Sequence, residues 1–291
     1  MHLWQEYRQP DSISEAIDDL LNAPAPVVPI AGGTDLLLDM RQGRHKPANT
    51  LVDLTGVPEL NVIEERGNFL YIGACVPVNR IIADPHVKDN AQALIEACDL
   101  IAGPQVRNTA TLGGNVAHAL PAADGTIALV ALGATAEIAN PKGLRKLPFR
   151  DLFQGPGKST IDKTSELIAG FYIALSNRNQ ASAFKRIMRP QGVALPILNC
   201  AVWLERKGNT IKDIRIAVGP GGPTPFRATS AEDLMRDQTC DDALIIEAVK
   251  KLLKQGSFRT SPHRATSEYR KHILAGLFRD TFHEALQRAK E

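Results

Sequence analysis

The stretch Val27-Val28-Pro29-Ile30-Ala31-Gly32-Gly33-Thr34-Asp35-Leu36-Leu37-Leu38 most narrows what this chain can fold into. An apolar run, two adjacent glycines and a second apolar run read as a short buried strand, a tight turn and the first turn of a helix. Glycine admits positive φ, and two in succession leave no side chain between the backbone and a ligand. The amides of Gly32, Gly33, Thr34 and Asp35 can then point into one concavity, with a helix N-terminus adding a field that favours an anion. Thr34 and Asp35 are the candidate caps of that helix. Taken alone, the pair also fits a strand-to-helix turn that uses glycine only for geometry.

A second stretch of the same kind follows in Ala110-Thr111-Leu112-Gly113-Gly114-Asn115-Val116-Ala117, continuing through His118 to Asp124. A diphosphate needs donors from more than one side. Two glycine loops on separate segments can clasp it, with Thr34, Thr111 and Asn115 as side-chain donors.

These loops, together with Ile101-Ala102-Gly103-Pro104-Gln105-Val106-Arg107-Asn108 between them, resemble the FAD-binding (medium) subunit of the molybdenum hydroxylases. That family includes the flavoprotein subunits of bacterial xanthine dehydrogenase and CO dehydrogenase, and the likeness runs nearly end to end. It implies an α+β chain: a two-subdomain FAD-binding fold of the PCMH/vanillyl-alcohol-oxidase type, then a C-terminal domain of a three-stranded sheet plus helices. It further implies that Ile30, Ala31, Gly32, Gly33, Thr34, Asp35 and Leu36, with Thr111, Gly113, Gly114 and Asn115, hold the diphosphate of FAD. Ala110, Ala117 and Ala123 would lie along the cofactor. Ile101, Ala102 and Val106 would form an apolar wall, joined by Ile168. Asp124 would sit near the flavin ring or ribityl chain, and Lys185 on the adenine or phosphate side. The resemblance is to a non-covalent branch, so His118 carries no flavin link. Arg189-Pro190-Gln191-Gly192 stands where the family often has an aspartate-bearing segment, which leaves that turn without a transferable role.

Composition excludes several other classes. The 291 residues are 44% apolar and 23% charged, with net charge +2, ordinary values for a globular protein of two or three subdomains. Two basic groups, Lys142/Arg145/Lys146 and Arg259/His263/Arg264, are short and lack interleaved aromatics. They read as solvated faces, so no nucleic-acid partner is expected. Cys75, Cys98, Cys200 and Cys240 are far apart and form no Cys-x-x-Cys pair, so buried thiols are expected and neither a metal nor an iron–sulfur site is supported. His263, His272 and His283 are spaced too widely to be close metal ligands on one helix face. The N-terminus shows no secretory pattern, and the longest uncharged apolar stretch, 126–136, is too short to span a bilayer. A cytoplasmic protein is expected.

In chain order, three units emerge. Residues 1–55 form an N-terminal α/β unit: a capping box at Ser12 to Glu15, a helix with Ile13, Ala16, Ile17, Leu20 and Leu21 on one face, the first glycine turn with its helix, and a strand at 50–54. Residues 56–177 carry a hairpin (60–65 and 69–73), a helix over 91–102, the second glycine loop, a buried helix over 126–132, a hairpin (135–139 and 144–147) and a closing strand at 167–175. Residues 178–291 give three antiparallel strands (183–189, 195–206, 211–218), a glycine–proline loop, and helices over 243–253 and 267–290. Gly155-Pro156-Gly157-Lys158-Ser159-Thr160 fails as a P-loop, because Leu152 stands at the first required glycine and Pro156 removes a donor. No Gly-x-Gly-x-x-Gly fingerprint precedes a helix, which removes the usual NAD-binding fold.

The function implied by the resemblance is electron transfer. The flavin chain would receive electrons from [2Fe–2S] clusters of a small partner subunit and pass them to NAD⁺ or another acceptor, while molybdopterin on a large subunit oxidises the substrate. The partner contact is expected among the third unit and the loops flanking 101–107. Two alternatives remain at this point: a self-contained flavoenzyme of the same fold, for which no convincing proton donor is visible, and a nucleotide-binding regulatory module.

Overall fold

The computed structural model describes residues 2–189, 195–262 and 264–290. The first unit comprises Glu6–Arg8 (β1), Ile13–Asn22 (α1), Val27–Ile30 (β2), Leu36–Arg41 (α2) and Thr50–Asp53 (β3). Its sheet is parallel in the order β1-β3-β2, with all four residues of the middle strand buried. At the start of α1, Ser12 Oγ accepts from the Glu15 amide (3.2 Å), and the Glu15 carboxylate accepts from the Asp11 amide (2.7 Å). The expected reciprocal box thus closes one residue early. Ala16, Ile17 and Leu20 form the buried stripe.

The second unit contains Ile63–Arg66 (β4), Phe69–Gly73 (β5), Val78–Ala83 (α3), Pro85–Asn90 (α4), Gln92–Asp99 (α5), Pro104–Arg107 (α6), Leu112–Ala117 (α7), Asp124–Ala131 (α8), Thr135–Asn140 (β6), Gly143–Pro148 (β7), Phe153–Gly155 (β8), Lys158–Ser159 (β9) and Leu167–Ala174 (β10). β10 runs up the middle of an antiparallel sheet ordered β4-β5-β10-β6-β7. All eight residues of α8 are buried, as a helix apolar on every side must be. The 155–160 segment is the short β8–β9 hairpin, with Gly157 at φ +70° in its turn.

The third unit holds Gln180–Met188 (β11), Pro196–Lys207 (β12), Thr210–Gly219 (β13), Phe226–Arg227 (β14), Thr229–Met235 (α9), Gln238–Thr239 (β15), Asp242–Gln255 (α10) and Ser267–Arg288 (α11). One face of this antiparallel sheet packs Phe184, Ala201, Trp203 and Ala217 into the core built by α5 and α8. Its other face packs Ala183, Cys200 and Val202 against α9, α10 and α11. α8 is therefore sandwiched between the second and third units.

Several expectations need correction. The helix expected over 91–102 ends at Asp99, and Ala102 takes φ +45°. The second glycine stretch is not a loop: Gly113 and Gly114 lie in the first turn of α7. Short helices α3, α4, α6 and α9 have too few turns to show a period in the sequence. The Pro190-Gln191-Gly192 part of the turn that departs from the family pattern, and His263, fall outside the described residues. Cys75, Cys98 and Cys200 are buried and Cys240 is half-buried. Burial pushes the Cys75 and Cys200 thiols up to about 12, which leaves them unreactive. No helix among the described residues is long and apolar enough to cross a membrane.

Candidate functional site

β2 ends at buried Ile30, whose carbonyl accepts from the Leu54 amide (2.8 Å) and so fixes where the glycine turn begins. Gly33 then adopts φ +66°, a region costly for any side chain. A Cβ on Gly32 would lie 2.1 Å from the Thr109 carbonyl oxygen, so at this point the first turn and the approach to α7 touch backbone to backbone. Asp35 occupies the N-cap of α2 without a side-chain cap bond, and Thr34 makes none either. Among the described residues, no acceptor takes up the amides of Gly32, Gly33, Thr34, Asp35 and Leu36. Gly32, Gly33 and Leu36 are half-buried and Thr34 and Asp35 exposed, so this run of open donors at a helix start is an accessible cradle for an anion.

The second stretch differs in its chemistry. Thr111 caps α7, its Oγ1 accepting from the Gly114 amide (3.0 Å). The Gly113 amide donates to Ala74 O (2.8 Å) and the Asn115 amide to Thr111 O (3.0 Å). Their main-chain donors are thus committed, and the two-sided clasp of amides is not what the fold builds. What α7 offers instead is space and side chains. Gly113 is required by packing, since a Cβ there would meet Ala74 at 2.6 Å, whereas a Cβ on Gly114 would approach only Thr111 Oγ1 at 3.1 Å. Gly114 and Ala117, one helical turn apart, leave an exposed face without bulk. Asn115 Oδ1 is buried without a partner, an acceptor awaiting a donor. Ala110 is buried before the cap, its carbonyl accepting from the Val78 amide (2.9 Å).

His118, just past α7, reaches back to Asp35, Nδ1 to Oδ2, at 3.5 Å. The hydrogen bond to Asp35 raises the His118 pKa, and the bond to His118 lowers that of Asp35. This pair ties the two segments together beside the open amides.

A groove of about 470 Å³ runs between the first turn and α6, lined by Gly32, Gly33, Thr34, Leu37, Val106 and Thr109 among others. Val106, one of its lining residues, is 39% exposed. Arg107 braces this wall: its Nη1 donates to the carbonyls of Asp99 (2.7 Å), Ile101 (3.1 Å) and Ala102 (3.1 Å). That clamp holds Ala102 in its positive-φ conformation and half-buries Ile101. Ile168 is half-buried one residue before Ala169, whose carbonyl accepts from Ala74, the residue that also receives Gly113.

Asp124 begins α8, after half-buried Ala123, and is buried. Its Oδ2 takes Arg186 Nη1 at 2.5 Å and its Oδ1 takes Asn199 Nδ2 at 2.7 Å. Burial nevertheless raises its pKa to about 6, outweighing the attraction of Arg186 and the Asn199 bond.

Residues 4–174 match the FAD binding domain in molybdopterin dehydrogenase, more than half of the chain, and residues 182–285 match the CO dehydrogenase flavoprotein C-terminal domain. The chain belongs to the FAD-binding subunits of the molybdenum hydroxylases. It is similar to the putative xanthine dehydrogenase FAD-binding subunit of Escherichia coli (29% identical over 97% of this chain and 96% of that one). It is also similar to the carbon monoxide dehydrogenase medium chain of Hydrogenophaga pseudoflava (32% identical, 76% of each chain). A solved CO dehydrogenase from that organism superposes with a TM-score of 0.93 at 27% identity, covering 98% of both chains. The fold is accordingly the α+β two-domain FAD-binding fold of this family. The chain is an oxidoreductase flavoprotein subunit whose cofactor is FAD.

The residues present fit FAD: open amides at the first turn, a buried unpartnered acceptor on Asn115 and a face without bulk at Gly114 and Ala117 on α7. Lys185 is not brought to this flavin site. It pairs across β11–β12 with Cys200, on the face turned to α11, and its Nζ meets Glu284 at 3.3 Å. Its neighbour Arg186 takes the opposite face and reaches Asp124. Arg186, Asn199 and Arg107 carry no assigned role in the sequence reading. Strand alternation was the available signal for the first two: once Phe184 faces inward, so does Arg186.

Proposed function

We propose that this flavin subunit relays electrons from [2Fe–2S] clusters of a small partner subunit to NAD⁺ or another acceptor, within a complex whose large subunit carries molybdopterin. The observation that carries the reading is the open run of amides from Gly32 to Leu36 in a chain of this family. Those amides bind the diphosphate, while Gly114 and Ala117 let it approach α7. Asn115, with its unpartnered Oδ1, would offer an acceptor to the cofactor, and Ile101, Ala102, Val106 and Ile168 would exclude water along it. FAD, once bound, supplies a ring that exchanges electrons singly or in pairs. Asp124, with its pKa near 6, would be ionised and paired with Arg186 above that pH and neutral below it, while Arg186 and Asn199 keep it in place beside the ring. The first two units, 1–55 and 56–177, bind FAD between them, and 178–291 closes the site from the ring side.

The test is purification of the native complex and of the chain alone. The complex should contain iron and molybdenum. The chain alone should bind FAD that acid releases completely, reduce a dye with NADH and hydroxylate no substrate. Substrate hydroxylation by the molybdenum-free chain would defeat the relay reading and favour a self-contained flavoenzyme.

A further inference from the structure

We propose that the cleft beyond the C-terminal end of α8, flanked by Glu205 and Arg215, binds a small zwitterion of the amino-acid class. It shares no residue with the groove at the first glycine turn. Strand register builds it. On the face of the third sheet that meets α8, Arg186 stands opposite Asn199; the next row is Phe184, Ala201 and Ala217, then Ser182, Trp203 and Arg215, then Gln180, Glu205 and Asp213. The eight residues of α8 span about 12 Å and cover only part of this face. Asp124 meets Arg186 and Asn199 at one end, and at the other Arg215 Nη1 donates to the Leu132 carbonyl (3.0 Å). The last row therefore runs past the helix. There Ile173, Ala174 and Leu175, at the end of β10, face Trp203 and Glu205 across a cavity of about 210 Å³.

Glu205 and Arg215 are half-buried diagonal neighbours on adjacent strands, with Cα atoms about 7–8 Å apart, and they do not pair with each other. Other groups hold each in place. Glu205 Oε1 accepts from Asn179 Nδ2 (3.2 Å) and Oε2 from Gln180 Nε2 (2.9 Å), and no ion pair among the described residues involves it. Arg206, next in β12, turns to the other face and reaches the Leu286 carbonyl (3.3 Å), while Arg178 and Lys207 are exposed. Arg215 lies over the Trp203 ring, 4.1 Å from its centroid. Gly133 gives it room, since a Cβ there would stand 2.5 Å from Nη1. Asp213 is 3.8 Å from Arg215 Nη2, and its Oδ1 is taken by Arg236 Nε (3.1 Å). No hydrogen bond among the described residues uses Arg215 Nε or Nη2.

The cleft thus presents a carboxylate and a guanidinium fork, each fixed and neither satisfied by the other. A ligand carboxylate fits the free donors of Arg215, and a ligand ammonium fits the lone pairs that Glu205 keeps after its two amide bonds. A simple anion would leave Glu205 unmatched and a simple cation would leave Arg215 unmatched, so the pair selects a molecule carrying both charges. Because both groups are held before binding, little side-chain ordering opposes it. Ile173, Leu175 and Trp203 supply an apolar wall and Asn177 an amide at the rim. The volume is below the roughly 300–1,000 Å³ of sites for drug-sized ligands, which suits an amino acid and excludes a nucleotide.

The experiment uses the full chain loaded with FAD, with FAD content followed by absorbance. Trp4 and Trp203 are its two tryptophans, so in a Trp4→Phe background the emission reports Trp203 alone. Glycine, leucine and glutamine are the probes, titrated to saturation. A saturable change in Trp203 emission is expected with at least one of them. For that amino acid, the carboxamide (cation only) and the des-amino acid (anion only) should each bind about tenfold more weakly or worse. Glu205→Gln, which removes the charge and keeps the size, and Arg215→Gln should each weaken it to the same degree, with FAD content unchanged. Thermal unfolding checks both variants, and Glu205→Gln carries the test by itself should Arg215→Gln not fold. Absence of a saturable change with all three probes overturns the site. So does equal binding by either single-charge analogue, or an unchanged affinity in Glu205→Gln.

Discussion

Replacing Gly33 and Gly114 separately with alanine should move the stability of the flavin-free chain in opposite directions. Gly33 holds φ +66°, so any Cβ costs about 1–2 kcal/mol of backbone strain. The new methyl would also sit 2.9 Å from Ile30 Cδ1 and 3.3 Å from Leu37 Cδ1, both flexible side-chain ends that can yield, so strain dominates. Gly114 instead lies inside α7 with only Thr111 Oγ1 near its Cβ position, at 3.1 Å. There alanine gains up to about 1 kcal/mol of helix propensity over glycine. Urea denaturation of the apo chain should therefore show Gly33→Ala destabilised and Gly114→Ala equal to or above wild type. FAD titration by fluorescence should weaken in both: for Gly33→Ala because any relief of the strain moves the turn amides out of line, and for Gly114→Ala because the methyl occupies the face left open for the cofactor. Gly114→Ala destabilising the apo chain more than Gly33→Ala, or full FAD affinity in both variants, would refute this account of the two glycines.

Three further outcomes follow from the charges. The raised folded pKa of His118 means its contribution is complete below ~6.5 and fades as pH rises through the higher folded value, while the lowered pKa of Asp35 means its share is lost only as pH falls below ~3.9. The thermal midpoint should show this decline as pH rises above ~6.5, and His118→Gln should flatten it; an unchanged profile counts against the tie. Asp124 has the opposite sign for a carboxyl: the fold keeps its proton up to about pH 6, so stability falls as pH rises from ~4 to ~6, by about 3 kcal/mol at most. Asp124→Asn should remove that slope in denaturant titrations at pH 4 to 7. Arg186→Met leaves Asp124 unpaired, costing ~3–5 kcal/mol where the carboxylate is ionised, so its destabilisation should be larger at pH 8 than at pH 5; equal losses would mean the pair contributes through packing alone.

Much of the fold was legible because its elements announce themselves locally. α1 has an apolar stripe and a capping serine, and β11 to β13 are largely apolar runs of nine to twelve residues. The first glycine turn was also readable, since a strand, two glycines and an apolar helix start admit few geometries. The second was misread as a loop because adjacent glycines signal a turn locally, while their helix is imposed from outside: Ala74 receives the Gly113 amide and leaves no room for a Cβ. The wall at 101–106 was located but its brace was not, because the three carbonyls that Arg107 gathers come together only once α5 has ended at Asp99.

The packing around α8 shows how the C-terminal third is tied to Asp124. α8 is apolar on every side, so the second unit's own sheet can cover only part of it. The rest is covered by Phe184, Ala201 and Ala217 from the third unit's sheet. That packing fixes the register of β11 against β12, and the register places Arg186 opposite Asn199, both turned toward the N-terminus of α8. Asp124 stands there, so the contacts that bury α8 also deliver its carboxylate's two partners. A shift of β11 by one residue would turn Lys185 inward and Arg186 toward α11. The ionisation of Asp124 thus depends on the hydrophobic seam that joins the two units, and a substitution in that seam, at Phe184 or Ala201, acts on Asp124 through the placing of Arg186 and Asn199.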